Sequence, residues 1–190
     1  MLRDNKTLQN QNKFVTTIHG TLLEIKSLGI LIIGKSGVGK SDNALELITN
    51  GAKLIADDVV EIKVEQTGEI LGAAPDKIKD LMEIRGLGII NVKDLFGNQH
   101  ILDNINIDMI IELTQWDSDV EYDRLGIEEN KYNILGVELP YLLLPVKPGR
   151  NTATIIELAA RNQIFKLTNP KNREKISEQL KNADSSRGVK

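Results

Sequence analysis

At 190 residues and 21.1 kDa the chain is sized for one domain, and a chain of this length hides roughly 70% of its unfolded surface. A hydrophobic share of 41%, a charged share of 27% and a net charge of −3 describe an ordinary globular balance with no basic field for nucleic acid. The absence of Cys excludes disulfides, thiolate catalysis and Cys-ligated zinc or iron–sulfur centres, and it suits a reducing cytoplasm. Two histidines (His19, His100) are too few for a His-rich metal site, and 4% aromatics are too few for a base-stacking platform. The apolar run Ile30–Ile33 is far short of a membrane span, and Arg3, Asp4 and Lys6 open the chain without a signal-peptide apolar segment. The expectation is a soluble cytoplasmic domain whose chemistry rests on oxygen, amine and guanidinium groups.

Residues 1–13 are polar and aperiodic and read as a disordered leader. Strand-like runs follow at Phe14–Ile18 and Thr21–Ile25, parted by His19-Gly20, and a short apolar strand Gly29–Ile33 leads into Gly34–Ser41. Helical spacing at Ala44, Leu45, Leu47 and Ile48 ends at Asn50-Gly51. Lys53–Asp58 and Val59–Val64 are β-rich, and Gln66–Gly68 turns into Glu69–Ala73. Met82–Asn91 mixes charges, glycines and apolar residues with no clear period. Ile105–Glu112 reads as a buried strand, and Thr114–Lys131 as an acidic loop with six acids against two bases. Val137–Val146 is apolar, Pro148-Gly149 interrupts it, and a helix is expected from about Thr152 to Leu167 on the face Ile155, Ile156, Leu158, Ala159 and Ala160. Residues 169–190 read as a basic C-terminal helix or tail, 171–190 carrying six bases and three acids.

Gly34-Lys35-Ser36-Gly37-Val38-Gly39-Lys40-Ser41 matches G-x-x-x-x-G-K-[ST] in full. Glycines at this spacing let successive backbone N–H groups turn inward as an anion nest, and the following helix adds its positive end. Lys40 has the reach for β/γ-phosphates, and the Ser41 hydroxyl suits Mg²⁺. Nucleotide or phosphate binding follows. The other candidates leave alternatives open. Asp57-Asp58 ends an apolar strand one helix away; one carboxylate there could take a hydroxyl proton while the other orients a metal or water, or the pair is a plain turn. Glu83 and Arg85, two apart on a possible strand, would share a face as metal ligand and phosphate clamp, or as a surface ion pair. Arg124 is a phosphate clamp or a solvated loop residue, and Arg150 a residue presented at a helix start or part of a turn. His19 reads as a strand-end histidine and His100 as surface.

Together the motifs resemble the catalytic domain of the HPr kinase/phosphorylase family, bacterial enzymes acting on a seryl residue of the phosphocarrier protein HPr. The likeness runs from about Thr17 to Leu167 through His19-Gly20, the phosphate loop, Ala56-Asp57-Asp58, MEIRGLGIIN at Met82–Asn91, Tyr122-Asp123-Arg124-Leu125-Gly126 and PVKPGRN at Pro145–Asn151. It implies an α/β fold over 14–168, a phosphate-loop mixed β-sheet core with flanking helices, similar to the nucleotide-binding part of phosphoenolpyruvate carboxykinase. It implies that Asp58 accepts the serine proton and returns one in reverse, with Asp57 beside it. Ser41 and Glu83 would ligate Mg²⁺, and Lys40, His19 and Arg124 would complete the charged shell. Arg85, within the signature, would serve both directions, and Lys147 and Arg150 chiefly dephosphorylation. ATP or pyrophosphate would be the donor, inorganic phosphate the acceptor in reverse with pyrophosphate as product, and a homohexamer the assembly.

Three departures stand out. Members usually carry a further N-terminal domain, whereas only a short leader precedes the match here, and the start at Met1 points to a natural short form rather than a truncated one. Lys35 and Asp42 stand where the family loop more often has acid and Glu. Lys147 stands where Arg is common, and a lysine is no equivalent fork for phosphate, which makes phosphorylase activity the less secure half. The competing readings are a kinase of a small-molecule hydroxyl and a non-enzymatic nucleotide sensor.

Overall fold

The computed structural model describes residues 15–120, 122 and 130–169; the leader, Arg124 and most of the C-terminal tail lie outside the described residues. The chain order is β1 (Val15–His19), β2 (Thr21–Ile25), β3 (Leu28–Gly34), α1 (Lys40–Thr49), β4 (Lys53–Ala56), β5 (Val59–Val64) and β6 (Ile70–Ala73). It continues with β7 (Leu81–Ile84), β8 (Gly88–Asn91), α2 (Val92–Phe96), β9 (Asn104–Gln115), β10 (Lys131–Ile134), β11 (Val137–Val146) and α3 (Thr152–Thr168).

Nine strands form one mixed sheet in the order β1-β5-β6-β9-β3-β2-β4, with β11 also paired to β9 and β10 to β11; β7 and β8 form a separate hairpin. The central strand β3 runs parallel to β9 and antiparallel to β2. Its continuous apolar sequence follows from burial on both faces. Alternation sends Ile30 and Ile32 to the core that α1 and α3 cover, with Ala44, Ile48, Ile156 and Ala160. Leu31 and Ile33 face a second core with Val60, Ile62, Ile110 and Leu139.

Helix α3 begins at Asn151, whose side chain accepts from Thr154 N (2.7 Å) and donates to Glu46 Oε1 on α1 (2.7 Å), tying the two helices together. The expected apolar face of α3 is corrected at Leu158, which is exposed, while Ala153, Ile156 and Ala160 are buried. The stripe that meets the sheet follows i, i+3, i+7 and Leu158 falls off it. Ile156→Ala is expected to cost about 2–5 kcal/mol, read by urea denaturation, because its fully buried side chain would leave a cavity under α3. A loss below about 1 kcal/mol would show that α3 does not carry the core as described.

The strands on either side of the Asp57-Asp58 corner part company. β1 pairs β5 while β2 pairs β4, so consecutive strands diverge at Gly20 and again at Asp57-Asp58. The two forks stay joined by Gly20 N donating to Asp58 O (3.1 Å). This opening faces the phosphate loop at the end of β3, a place where open α/β sheets bind ligands.

Candidate active site

The phosphate loop leaves β3 and enters α1 through Gly39, whose φ of 98° is left-handed and suits glycine. Val38 turns its side chain into the core and Lys35 is exposed, so the loop offers the cleft its backbone and the residues Ser36, Gly37, Gly39, Lys40 and Ser41. A cleft of about 120 Å³ is bounded by these residues together with His19, Asp57, Asp58, Glu83 and Arg85.

Lys40 is buried and donates to Gly34 O (3.0 Å), to Lys35 O (3.4 Å) and to His19 Nε2 (3.1 Å). An ammonium has no acceptor, so the histidine nitrogen facing it accepts and the ring proton sits on Nδ1. That nitrogen donates toward Asp58, 2.9 Å from its backbone oxygen and 3.1 Å from Oδ1. Burial pushes the Lys40 ammonium below its ordinary value, and the nearby carboxylates of Asp57 and Asp58 pull it back up. Lys40, His19 and Asp58 thus form one continuous polar chain, although they come from three separate elements.

The two adjacent acids have different surroundings. Asp58 is exposed, sits at φ 69°, and presents its carboxylate to the cleft beside His19. Left-handed backbone at a non-glycine residue marks a corner held by its surroundings, as functional sites often are. Asp57 is buried and accepts from Thr21 Oγ1 at 2.6 Å, from Ser41 Oγ at 3.1 and 3.0 Å, and from Glu83 N at 3.3 Å. It joins β2, the start of α1 and the β7–β8 hairpin at one point.

Met82–Asn91 resolves into that hairpin. β7 ends at Ile84, so Arg85 lies in the turn and does not share a strand face with Glu83, yet both line the cleft. The Arg85 guanidinium closes over the loop, so near that a Cβ on Gly37 would stand 3.2 Å from both its terminal nitrogens. Lys147 and Arg150 lie apart from this cleft. They border a larger pocket of about 750 Å³ that shares Gly37, Gly39 and Asp42 with it and reaches Gln115, Trp116 and Thr152. There Trp116 stacks on Tyr122 (centroids 5.1 Å apart) and Lys147 Nζ lies 5.2 Å from the Trp116 ring centre. His100 is not a surface residue as expected. It is half-buried, Nδ1 lies 3.1 Å from Ala52 O, and its ring meets Phe96 edge-on. Sequence reasoning missed Thr21, a β-branched residue in a strand, and the Trp116 pocket, whose walls are far apart in the chain.

The HPr Serine kinase C-terminal domain family matches residues 11–180. The chain belongs to this family. HPr kinase/phosphorylase of Geobacillus thermodenitrificans is 49% identical over 168 residues, 88% of this chain and 54% of the relative. That of Geobacter sulfurreducens is 50% identical over 161 residues, 85% of this chain and 50% of the relative. The structure of the Hpr(Ser) kinase/phosphatase from Coxiella burnetii superposes with a TM-score of 0.76 at 32% identity, covering 84% of this chain and 96% of that one. The chain therefore spans about half the length of the curated relatives it matches, and it has the fold of the HPr kinase catalytic domain, a mixed sheet with few flanking helices. No helix among the described residues is long and apolar enough to cross a membrane.

Proposed function

We propose that the chain catalyses Mg²⁺-dependent transfer of phosphate from ATP or pyrophosphate to a serine of HPr, and the reverse removal with inorganic phosphate. The observation that carries this reading is the convergence of the phosphate-loop lysine, His19 and the exposed Asp58 carboxylate on one cleft, in a chain whose relatives bear the name HPr kinase/phosphorylase. The loop backbone and Lys40 hold the transferring phosphate, and Arg85 covers it from the hairpin. The larger pocket continues from the loop, and its volume of about 750 Å³ leaves room for the rest of a nucleotide.

Asp58 takes the serine proton as the serine oxygen bonds to phosphorus and the donor's bridging oxygen leaves. In reverse, a phosphate oxygen attacks the phosphoserine phosphorus, the serine oxygen leaves with a proton from Asp58, and pyrophosphate forms. His19, bonded to both Lys40 and Asp58, orients the carboxylate.

Ser41, Asp57 and Glu83 offer hard oxygen donors beside the loop, and no group of three His, Asp or Glu side chains that could hold a metal gathers among the described residues. That set fits Mg²⁺, which takes one or two protein oxygens and completes its shell with phosphates and water. Ser41 and Glu83 would hold it, with Asp57 behind them. When bound it supplies the positive charge that offsets the crowded phosphate oxygens. Arg124 enters the proposal on the family resemblance alone, as do homohexameric assembly and a cytoplasmic setting.

The deciding assay incubates the protein with HPr, Mg²⁺ and labelled ATP, then with phospho-HPr and inorganic phosphate. Label on an HPr serine and release of pyrophosphate are expected. A wild-type protein that leaves HPr unlabelled but phosphorylates a metabolite, or only binds ATP, overturns the reading. Lys147→Arg is expected to raise the phosphorylase rate about threefold and the kinase rate less, since a guanidinium keeps the contact over Trp116 and offers phosphate oxygens a planar, two-pronged set of N–H donors in place of a point charge. Equal changes in the two rates would remove Lys147 from phosphate handling.

A further inference from the structure

Four residues with polar or charged side chains are buried among the described residues; two of them, Lys40 and Asp57, line the cleft, and a third, Thr21, lies behind Asp57 and bonds to it. Lys40 and Asp57 belong to the motifs already discussed. Thr21 does not. It opens β2 between Gly20 and Leu22, is fully buried, and pairs with Ile32 of the central strand. A valine has nearly the same shape, favours strands equally and carries no hydroxyl to desolvate. The hydroxyl is accounted for by one contact, its donation to Asp57 Oδ1 at 2.6 Å, the shortest of the bonds that this carboxylate receives.

That bond has a consequence for Ser41. The Ser41 hydroxyl lies 3.1 Å from Oδ1 and 3.0 Å from Oδ2 of Asp57 but has one proton to give. Oδ1 takes Thr21 and Oδ2 takes Glu83 N, so these two donors hold the carboxylate plane from either side and set how the Ser41 hydroxyl meets it. Thr21 is β-branched and packed in a strand, so its hydroxyl has little freedom to follow a rotating carboxylate. We infer that Thr21 is a positioning residue, fixing the plane of the Asp57 carboxylate and through it the Ser41 hydroxyl and the Glu83 end of the hairpin. The inference rests on the phosphotransfer reading proposed above.

The test compares wild type with Thr21→Val and Thr21→Ser in phosphotransfer to HPr and in ATP binding titrated with Mg²⁺, followed by the fluorescence of Trp116, the single tryptophan of the chain. Thr21→Val is expected to lower kcat about tenfold while KM for ATP moves less than about threefold, because the loop backbone is untouched. Thr21→Ser is expected to return kcat to within about threefold of wild type. Its hydroxyl restores the bond, whereas a residue needed only for packing would not be rescued by losing a methyl group. An unchanged kcat in Thr21→Val, or a Thr21→Ser as slow as Thr21→Val, overturns the inference. If wild type itself transfers nothing to HPr, the functional reading fails separately and the Mg²⁺ titration decides. A higher Mg²⁺ requirement in Thr21→Val, rescued by Thr21→Ser, supports positioning, and superimposable curves refute it.

Discussion

Asp58→Asn is expected to lower phosphotransfer to HPr by about 10²–10⁴-fold while leaving ATP binding and thermal stability close to wild type. The substitution suits the site unusually well. Asp58 holds φ 69°, a left-handed conformation that Asn adopts readily, so the corner between β4 and β5 survives. The amide oxygen can still accept from His19 Nδ1, which in the native protein lies 3.1 Å from the carboxylate. The capacity to take a proton from the serine hydroxyl is what disappears. The measurement is initial-rate phosphorylation of HPr beside calorimetric ATP binding. Activity within about tenfold of wild type would remove Asp58 from proton transfer without touching the family assignment.

Lys40→Met is expected to weaken ATP binding about a hundredfold and to lower kcat/KM by about 10³ or more. Methionine keeps much of the apolar stem that is buried at this position but brings no charge. The ammonium holds the loop by donating to Gly34 O and Lys35 O, and it is the cation nearest the Asp57–Asp58 corner in the polar chain through His19. Its loss therefore removes a phosphate partner and also leaves two loop carbonyls without their donor. Direct binding of ATP by calorimetry measures the effect. An affinity within about threefold of wild type would mean that the loop backbone alone carries nucleotide binding.

The two variants divide the site differently, because in the proposed mechanism one residue acts on the acceptor and the other on the donor. Asp58→Asn should leave an enzyme that binds nucleotide and stalls, and Lys40→Met one that rarely binds it. Thr21→Val should lie between them, with binding kept and turnover reduced, since it acts only through a neighbouring carboxylate.

The phosphate loop was legible because its requirements are local. Glycines, a lysine and a serine within eight consecutive residues decide where the backbone can curl and what it presents. The strands around it were legible because apolar runs such as Ile30–Ile33 are continuous and α1 has its own period. The β7–β8 hairpin was not, because its apolar residues Leu87 and Ile89 are exposed and the usual link between hydrophobic pattern and burial fails there. Leu158 failed for a related reason, since helical periodicity gives a face only as wide as the sheet beneath it allows.

By itself the sequence determined a cysteine-free α/β domain, a phosphate-binding turn between β3 and α1, and, through its resemblance, the family. These rest on composition and on residues near one another in the chain. Only the tertiary structure decided how the two adjacent acids are placed. The opposed turns at Gly20 and at Asp57-Asp58 bury one carboxylate under Thr21 and Ser41 and leave the other open beside His19. Those partners lie 36, 16 and 39 residues away in the chain. Whether two such groups meet depends on strand order and on where paired strands diverge, and hydrophobic periodicity carries no record of either.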